Sequence, residues 1–321
     1  MVGKIKEAVR FIYRIAFARI KSNENILIYG ISRGGTTLLA ETLVEILDAR
    51  FVWEPFFRYR KVPFERINPY STHRYNKLQF SWSPYVDGED HKEVNGYFDR
   101  LLGLKERNIR FYRHTNHSRF VDQKKTVFKF CFGNFLYPYI DQRYGCKSIL
   151  LLRHPFAVAA SALNFGSNYD WHKNNYDKWR YNDSKWGHGF FEQYNSKRHL
   201  INSAFTLIVF QAVSQYSFVL SKLNKHHTIV VYYEDMVIHP ETIGGQLESL
   251  LGFPVDIEAL KKSFSRESFS SSRGHTQSDA VAQLSKWKQH CSVEEIAQGL
   301  KIFEAFGFVR YSDDILPIKS S

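Results

Sequence analysis

Two glycines and two hydroxyls near the N-terminus have the spacing of a phosphate-binding loop. In YGISRGGTTLLAE, Gly30 and Gly35 stand where a G-x-x-x-x-G-K-[ST] loop has its glycines, around which backbone N–H groups cradle phosphates. Thr36 occupies the position of the lysine that reaches the terminal phosphates, and Thr37 follows it. The only cation within the loop is Arg33. The pattern predicts an anion site in which an arginine replaces the usual lysine.

The flanking segments place this loop between a strand and a helix. Residues 25–30, NILIYG, form a short apolar run, whereas residues 36–47 carry apolar side chains at helical spacing. Amides at a helix N-terminus carry partial positive charge and bind anions. A Gly-rich turn before an ordinary helix is the alternative. We favour the anion site because a strand, two spaced glycines, a cation and two hydroxyls converge there.

Four more apolar runs predict strands. They are RFVW (50–53), KTVFKF (125–130), KSILLLR (147–153) and HTIVVYYED (227–235). Continuous rather than alternating hydrophobicity is typical of strands covered on both faces, and it predicts an α/β domain with a parallel central sheet and helices on both faces. Ligands bind beyond the carboxyl ends of such strands. Arg33, Glu54 and Arg153 each lie at or just after the end of a run, where we expect functional residues.

The remaining chain divides into one long helical pattern and two irregular segments. Residues 190–223 carry a mostly apolar stripe and are predicted to form a single helix. Residues 164–189 and most of 56–95 lack a helical or strand period. Their Trp and Tyr content favours functional loops over disorder, so we interpret them as candidate acceptor-binding loops.

The composition indicates a basic protein with one domain. The chain has 321 residues, and 44 Lys and Arg against 32 Asp and Glu give a formal charge of +12. This excess argues for an anionic partner, which could be a nucleic acid, a phospholipid surface or a phosphorylated or sulfated small molecule. No nucleic-acid-binding motif is recognised, so we expect no nucleic acid. Cys131, Cys146 and Cys291 have no metal-binding spacing and are typical of reduced thiols in the cytoplasm.

The N-terminal segment, residues 1–22, has apolar residues interrupted by lysines and arginines. It therefore matches neither a signal peptide nor a membrane span. We predict an amphipathic helix packed on a domain of residues 23–321. Contact with a membrane surface is the alternative, which we favour less because the polar face is not densely basic.

Three stretches of the chain resemble the signatures of a known family. SRGGTTLL is similar to the loop [PRK]-[KR]-[ST]-G-[ST]-[ST] between a strand and a helix, with Gly34 where Ser or Thr is commoner. LLLRHPFAVAASAL is similar to an apolar strand ending in R-[DNH]-P, with a serine eight residues after Arg153. VVYYEDM is similar to a strand ending in Y-E-D. In order and spacing they resemble the sulfotransferases that use 3′-phosphoadenosine-5′-phosphosulfate (PAPS), over residues 25–254.

This resemblance implies a P-loop-like sulfotransferase fold and transfer of a sulfuryl group from PAPS to an acceptor hydroxyl without a metal. The loop residues would hold the phosphosulfate, and an arginine and a serine would hold the 3′-phosphate. The implied donor-binding residues are Arg33, Gly34, Gly35, Thr36, Thr37, Arg153 and Ser161. Arg33 would also stabilise the charge that develops on the leaving phosphate.

The closest likeness is to the tyrosylprotein and carbohydrate branches, and it implies two further catalytic residues. A glutamate about seventeen residues after the second loop hydroxyl is the general base there, and Glu54 follows Thr37 by seventeen. TVFKFCFGNF is similar to the strand that carries a sulfate-contacting lysine, which assigns that role to Lys129. The alternatives are a solvated carboxylate at a strand end and a lysine that extends to the surface from an edge strand.

A late loop completes the resemblance. SSSRGHTQSDAVAQLSKW is similar to a loop of the tyrosylprotein branch that ends in L-S-K-W, and Ser271 and Ser272 match its paired serines. The lysine of that loop falls on Gln277, so Arg273 is assigned as its substitute in donor binding.

Two other functions compete with sulfuryl transfer. A magnesium-dependent phosphotransferase would use Thr37 and Asp235 as metal-binding residues, but it leaves the missing lysine unexplained. A non-enzymatic basic module would bind an anionic polymer or a membrane. We favour the sulfotransferase, with a glycan or small metabolite as the hydroxyl-bearing acceptor. Trp- and Tyr-rich loops suit sugar rings, but an aromatic small molecule or a tyrosine-containing peptide would also fit them. Tyr232, Glu234 and Asp235 are then structural residues. No partner is identified for His114, His117 or the pair at 226–227, so structural or exposed histidines are the default.

Overall fold

The computed structural model describes Ile20 and residues 24–57, 72–106, 108–116, 118–266 and 280–319. The segment predicted as an N-terminal helix, residues 1–22, lies outside these apart from Ile20. Ser271, Ser272 and Arg273 of the late loop also lie outside them.

The described chain forms one α/β domain around a parallel sheet of five strands in the order β2-β3-β1-β4-β5. The strands are β1 (Glu24–Tyr29), β2 (Arg50–Trp53), β3 (Lys125–Phe130), β4 (Lys147–Leu152) and β5 (Thr228–Tyr232). The predicted fold class is confirmed. Because Tyr29 is level with Phe130 and Trp53 with Lys129, the carboxyl ends of β1, β2 and β3 meet at one edge of the sheet.

The described residues form thirteen α-helices. They are α1 (Thr36–Ile46), α2 (His73–Lys77), α3 (Lys92–Leu102), α4 (Tyr137–Tyr144), α5 (Pro155–Leu163), α6 (Asp170–Asn175), α7 (Glu192–Asn195), α8 (Ala204–Ser221), α9 (Tyr233–Ile238), α10 (Pro240–Leu251), α11 (Ile257–Phe264), α12 (Ala280–Ser285) and α13 (Val293–Ala305). Short 3₁₀ turns occupy Ile109–Tyr112, Asn134–Leu136, Gly166–Tyr169, Arg198–Leu200 and Lys286–Gln289.

The core consists of two clusters, one on each face of the sheet. Leu27 and Tyr29 of β1 belong to the larger cluster, together with most buried side chains of α8. Ile26 and Ile28 belong to the other cluster, together with buried side chains of α1 and α10. Since both faces of β1 are covered, its continuous apolar pattern is explained.

The prediction of a single helix over 190–223 is wrong for residues 190–203. Helix α8 begins only at Ala204, because Ser203 caps it: the Ser203 hydroxyl accepts a hydrogen bond from Thr206 N (3.1 Å), and Thr206 Oγ1 accepts one from Ser203 N (2.9 Å). This capping box is visible in the sequence as S-x-x-T. By length and composition α8 could cross a membrane, but 67% of it is buried inside the protein, where it packs on α5 and α13.

Three other boundaries differ from the predictions. The segment 164–189 is not wholly irregular, because it contains the turn Gly166–Tyr169 and helix α6. Within 56–95, α2 and the start of α3 are helical, and residues 58–71 lie outside the described ones. The fifth strand ends at Tyr232 rather than at Asp235, since the next residues form the first turn of α9, where acidic side chains favour a helix start.

Candidate active site

The phosphate-binding loop turns from β1 into the N-terminus of α1. Its Gly34 N donates to Ile31 O (3.0 Å), and a Cβ at position 34 would lie 2.9 Å from that same oxygen. Gly35 has a left-handed φ of 89°, and a Cβ there would lie 2.3 Å from the Tyr233 ring. The tight backbone therefore explains why glycine stands at position 34, where the resembling family commonly has Ser or Thr.

Arg33 is fixed within this loop in a strained backbone conformation. Its φ is 66°, which is uncommon for a residue other than glycine. Its Nε donates to Ser161 Oγ (3.2 Å), and its guanidinium lies 3.9 Å from the centre of the Phe165 ring. Burial lowers the pKa of Arg33 from its usual value. Arg33 and Ser161, which were assigned separately to donor binding, are thus in direct contact.

Arg153 lies immediately after β4 and reaches the same loop. Its Nη1 donates to Arg33 O (2.8 Å), and its guanidinium lies 4.3 Å from the centre of the Tyr233 ring. Its buried Nε has no hydrogen-bond partner among the described residues, and none of their ion pairs includes it. Two guanidiniums held together with an unused buried donor are suited to a bound anion that accepts from both.

Glu54 and Lys129 form a buried ion pair at the ends of β2 and β3. Glu54 Oε1 accepts from Lys129 Nζ, and Glu54 Oε2 accepts from Cys131 N (3.0 Å). Their side chains are only 4% and 5% exposed. Burial alone lowers the pKa of Lys129, but the neighbouring Cys131 and Glu54 outweigh it and raise that pKa overall. Because each charge compensates the other, removing one leaves a buried charge unpaired.

The backbone at Glu54 is strained in the same sense as that at Arg33. Glu54 has a φ of 45°, directly after the last residue of β2, Trp53. A left-handed conformation of this kind costs about 1 kcal/mol for a residue with a Cβ, and such strain is concentrated at functional sites. The two alternatives considered for this pair, a solvated carboxylate and a surface lysine, do not describe these buried side chains.

One cavity of about 1270 Å³ brings the predicted residues together. Among the described residues its lining includes Arg33, Gly35, Thr36, Thr37, Glu54, Lys129, Arg153 and Ser161. Gly34 belongs to the loop but does not line the cavity. The buried Thr36 hydroxyl lies 3.1 Å from Cys131 Sγ, which joins the loop to the Glu54–Lys129 pair.

The family model of the sulfotransferase domain matches residues 23–301. The chain belongs to the sulfotransferase family. It is therefore an enzyme that transfers sulfuryl groups. A search of curated proteins found no match.

Solved structures of sulfotransferases resemble this enzyme over most of their length. A sulfotransferase domain from the curacin biosynthetic pathway shares 15% identity over 90% of this chain and 99% of that chain, with a TM-score of 0.48. The mouse sulfotransferase SULT7A1, complexed with PAP (adenosine 3′,5′-bisphosphate), shares 12% identity over 95% of this chain and 90% of that chain, with a TM-score of 0.44. Retinol dehydratase, in complex with androsterone and inactive cofactor PAP, shares 15% over 90% and 82%, with a TM-score of 0.43.

Several lining residues of this sulfotransferase were not singled out from its sequence. Cys131 follows Lys129 by two positions, so a period-2 pattern would place both on one side of the chain as it leaves β3. Tyr169 was included only as part of a loop, yet its hydroxyl lies 2.7 Å from Ser32 Oγ of the phosphate-binding loop. Lys286 and Trp287 of the L-S-K-W sequence also line the cavity. For these two the family resemblance was itself the available signal.

The residues predicted to be structural make structural contacts. Glu234 accepts from His154 N (3.0 Å) and from the Tyr311 hydroxyl (2.8 Å), and burial raises its pKa. Asp235 pairs with Lys319 (3.0 Å), and neither acid lines the cavity. This placement does not favour the magnesium-binding role that the phosphotransferase alternative gave to Asp235.

Of the histidines named from the sequence, His114 and His227 contact neighbouring side chains. His114 packs against Trp53, with ring centres 5.7 Å apart, and burial lowers its pKa to about 4. His227 Nδ1 lies 2.9 Å from Asp141, and His226 is exposed. His117 lies outside the described residues.

One cluster among the described residues has the composition of a metal site. Asp87, Glu89 and His91 bring their potential ligand atoms within 4.8 Å of one another. His91 Nε2 already lies 2.7 Å from Asp87, and none of the three residues lines the cavity. The cluster is therefore separate from the sulfuryl-transfer site.

Proposed function

We propose that this sulfotransferase takes its sulfuryl group from PAPS and transfers it to a hydroxyl of an acceptor, either a glycan or a small metabolite. The observation that carries the proposal is the arrangement inside one cavity. A loop at a helix N-terminus, with two guanidiniums and an unused buried donor, shares that cavity with a carboxylate–ammonium pair. The first group suits an anionic donor, and the second suits a hydroxyl that must lose a proton.

The donor would be held by residues that carry positive charge or can donate hydrogen bonds. Amides at the start of α1 and the hydroxyls of Thr36 and Thr37 would bind the phosphosulfate. Arg153 and Ser161 would bind the 3′-phosphate, with Ser271, Ser272 and Arg273 as further proposed contacts. The fit rests on the Arg153 Nε, a buried donor that a phosphate oxygen would satisfy.

The proposed transfer is a direct displacement at sulfur. Glu54 takes the proton of the acceptor hydroxyl as its oxygen forms a bond to sulfur. The bond from sulfur to the bridging oxygen breaks, and adenosine 3′,5′-bisphosphate (PAP) leaves with that oxygen and its electron pair. Arg33 and Lys129 stabilise the negative charge that develops on the leaving phosphate. Proton transfer from Glu54 to solvent, after products leave, restores the enzyme.

The charge of the transferred group explains why an arginine can replace the lysine of the usual loop. A phosphoryl group spreads a large negative charge, which kinases neutralise with magnesium and a lysine. A sulfuryl group carries less charge. Loop amides, two hydroxyls and a planar guanidinium can stabilise its transfer, so we expect no metal requirement.

Turnover with and without a chelator tests this function. The enzyme should transfer labelled sulfuryl groups from PAPS to acceptors in a mixed panel of saccharides and small alcohols, and EDTA should not reduce the rate. Activity with ATP that appears only on adding magnesium, together with none from PAPS, would instead establish phosphoryl transfer.

Two properties of the whole protein are also proposed. The three cysteines of the described chain are free, which supports action in a reducing compartment such as the cytoplasm. The basic segment 1–22 is proposed to form an amphipathic helix packed on the domain, with weak contact to a membrane surface as the alternative. Limited proteolysis with and without anionic vesicles would distinguish the two arrangements.

A further inference from the structure

The cavity of the proposed active site carries far more positive than negative charge. Among the described residues its lining includes seven lysine and arginine side chains against one carboxylate, Glu54, which Lys129 already neutralises. Arg33 and Arg153 are assigned to the donor above. Lys178 and Arg180, in the segment between α6 and α7, have no anion assigned to them.

Ion pairs separate the cations of α6 and of the segment after it into two groups. Lys173 and Lys185, which do not line the cavity, are paired with Asp170 and Glu93, each at 3.3 Å. Lys178 and Arg180 line the cavity, and neither forms an ion pair with a described residue. Unpaired cations directed to a common cavity favour a negatively charged ligand there.

The backbone that carries these two cations is held firmly. Tyr181 N donates to Asn195 Oδ1 and Tyr181 O accepts from Asn195 Nδ2, both at 2.9 Å. The buried Tyr181 hydroxyl lies 2.7 Å from Ser214 Oγ of α8, and Trp179 O accepts from Arg198 Nε (2.6 Å). Because these contacts fix the chain on both sides of Arg180, binding an anion costs little ordering of the backbone.

Other residues that line the cavity are aromatic, or are polar and uncharged. Trp82 and Trp171 are 55% and 53% exposed, so their indole rings are accessible to a ligand. The lining also includes the polar residues Ser81, Asn182 and Gln211. Indole faces suit the apolar faces of sugar rings, and hydroxyl and amide groups suit their several hydroxyls.

We propose that the acceptor is an acidic saccharide, with a carboxylate bound by Lys178 and Arg180 and a neighbouring hydroxyl presented to Glu54. This inference rests on the proposed function. A phenolic acceptor is less well matched, because its single hydroxyl offers no negative charge to Lys178 and Arg180. A neutral saccharide would leave the two cations unused.

Matched oligosaccharides test the proposal directly. The probes are tetrasaccharides of hyaluronan, polygalacturonate and alginate, each compared with its carboxyl-reduced counterpart, and binding to the PAP-loaded enzyme is measured by calorimetry. We expect at least one acidic tetrasaccharide to bind about tenfold or more tightly than its reduced form, and its affinity to fall as salt is raised. The double substitution Lys178→Ala/Arg180→Ala should remove this preference and leave PAP binding unchanged.

The double substitution Lys173→Ala/Lys185→Ala is the control, because it removes the same charge from positions on either side of Lys178 and Arg180 that do not line the cavity. It should retain the preference for the acidic probe. Equal binding of acidic and reduced forms, failure of every acidic probe to bind, or sulfation of a phenol or a tyrosine peptide in place of saccharides would overturn the inference. Failure of PAP itself to bind would overturn the proposed function, so the two failures are distinguishable.

Discussion

The two ends of the cavity are built in different ways. At the donor end, Arg33, Arg153, Glu54 and Lys129 lie at the ends of parallel strands, and each is held by hydrogen bonds or ion pairs to its neighbours. At the acceptor end, the cavity is lined by side chains from helices α6 and α8 and from irregular segments such as the one that carries Trp82, which is 55% exposed. The edge of the sheet thus carries the residues proposed to bind the donor and to transfer the sulfuryl group. Acceptor specificity is expected to reside in the segments outside the sheet.

The largest expected effect separates the chemistry from donor binding. Glu54→Gln keeps the size of the side chain but cannot take a proton. It should lower turnover by about two to four orders of magnitude and leave the calorimetric affinity for PAP nearly unchanged.

Lys129→Gln is the comparison variant, because it breaks the same ion pair and retains the carboxylate. It should destabilise the protein to a similar degree and lower turnover by less than Glu54→Gln does, since it removes a charge that stabilises the leaving phosphate but keeps the base. Turnover of Glu54→Gln within a few-fold of the wild-type value would show that the pair has only a structural role.

The next effect concerns how firmly the donor end is anchored. His154 is 1% exposed; its Nδ1 accepts from Phe156 N (3.1 Å) and its Nε2 lies 3.1 Å from Ser312 O, and burial lowers its pKa to about 3. The unfolded chain, with a histidine pKa of about 6.5, binds a proton that the folded chain does not. The contribution of the neutral, buried His154 to the free energy of unfolding is therefore present in full above pH 6.5, and it is lost as the pH falls toward 3.

Between pH 7 and pH 5 the free energy of unfolding should therefore fall by about 2 kcal/mol through this one group. His154→Asn should remove that part of the dependence, whereas His226→Asn, at an exposed histidine, should not. Chemical denaturation of the three proteins at several pH values measures the difference. Identical slopes for wild type and His154→Asn would show that this histidine is not kept neutral in the fold.

The smallest expected effect is at the acceptor end. Trp82 packs loosely against Phe57 and Phe132, with ring centres 5.9 and 6.1 Å apart. Trp82→Ala should raise the KM for a saccharide acceptor about tenfold, as expected for the loss of one stacking surface, without changing PAP affinity or the melting temperature. Trp82→Phe should restore most of the affinity. A matching loss of PAP affinity would show that the two ends are not separable.

The donor end could be predicted from the sequence to a large extent, because its residues are close together along the chain or follow fixed spacings. Gly35, Thr36 and Thr37 are contiguous, and Ser161 lies in α5, the helix that begins two residues after Arg153. The contact of Glu54 with Lys129 depends instead on the register of β2 and β3, which sets Trp53 opposite Lys129. Only the folded sheet brings those two residues together.

The acceptor end could not be built up in this way. The pairing of Lys185 with Glu93 of α3 and the tethering of Tyr181 by Asn195 of α7 join residues 92 and 14 positions apart, and no periodic pattern in the sequence connects them. The start of α8 was mispredicted for a different reason. Its apolar stripe continues upstream of Ser203, so hydrophobic pattern alone did not reveal the capping box.

Calorimetry with PAP and 5′-AMP tests the identity of the donor most directly. The two nucleotides differ by the 3′-phosphate, which is proposed to accept from Arg153 and Ser161. We expect PAP to bind more tightly by about 2 to 4 kcal/mol, and Arg153→Ala to remove most of this difference. Equal affinity of the wild-type protein for PAP and 5′-AMP would contradict this expectation.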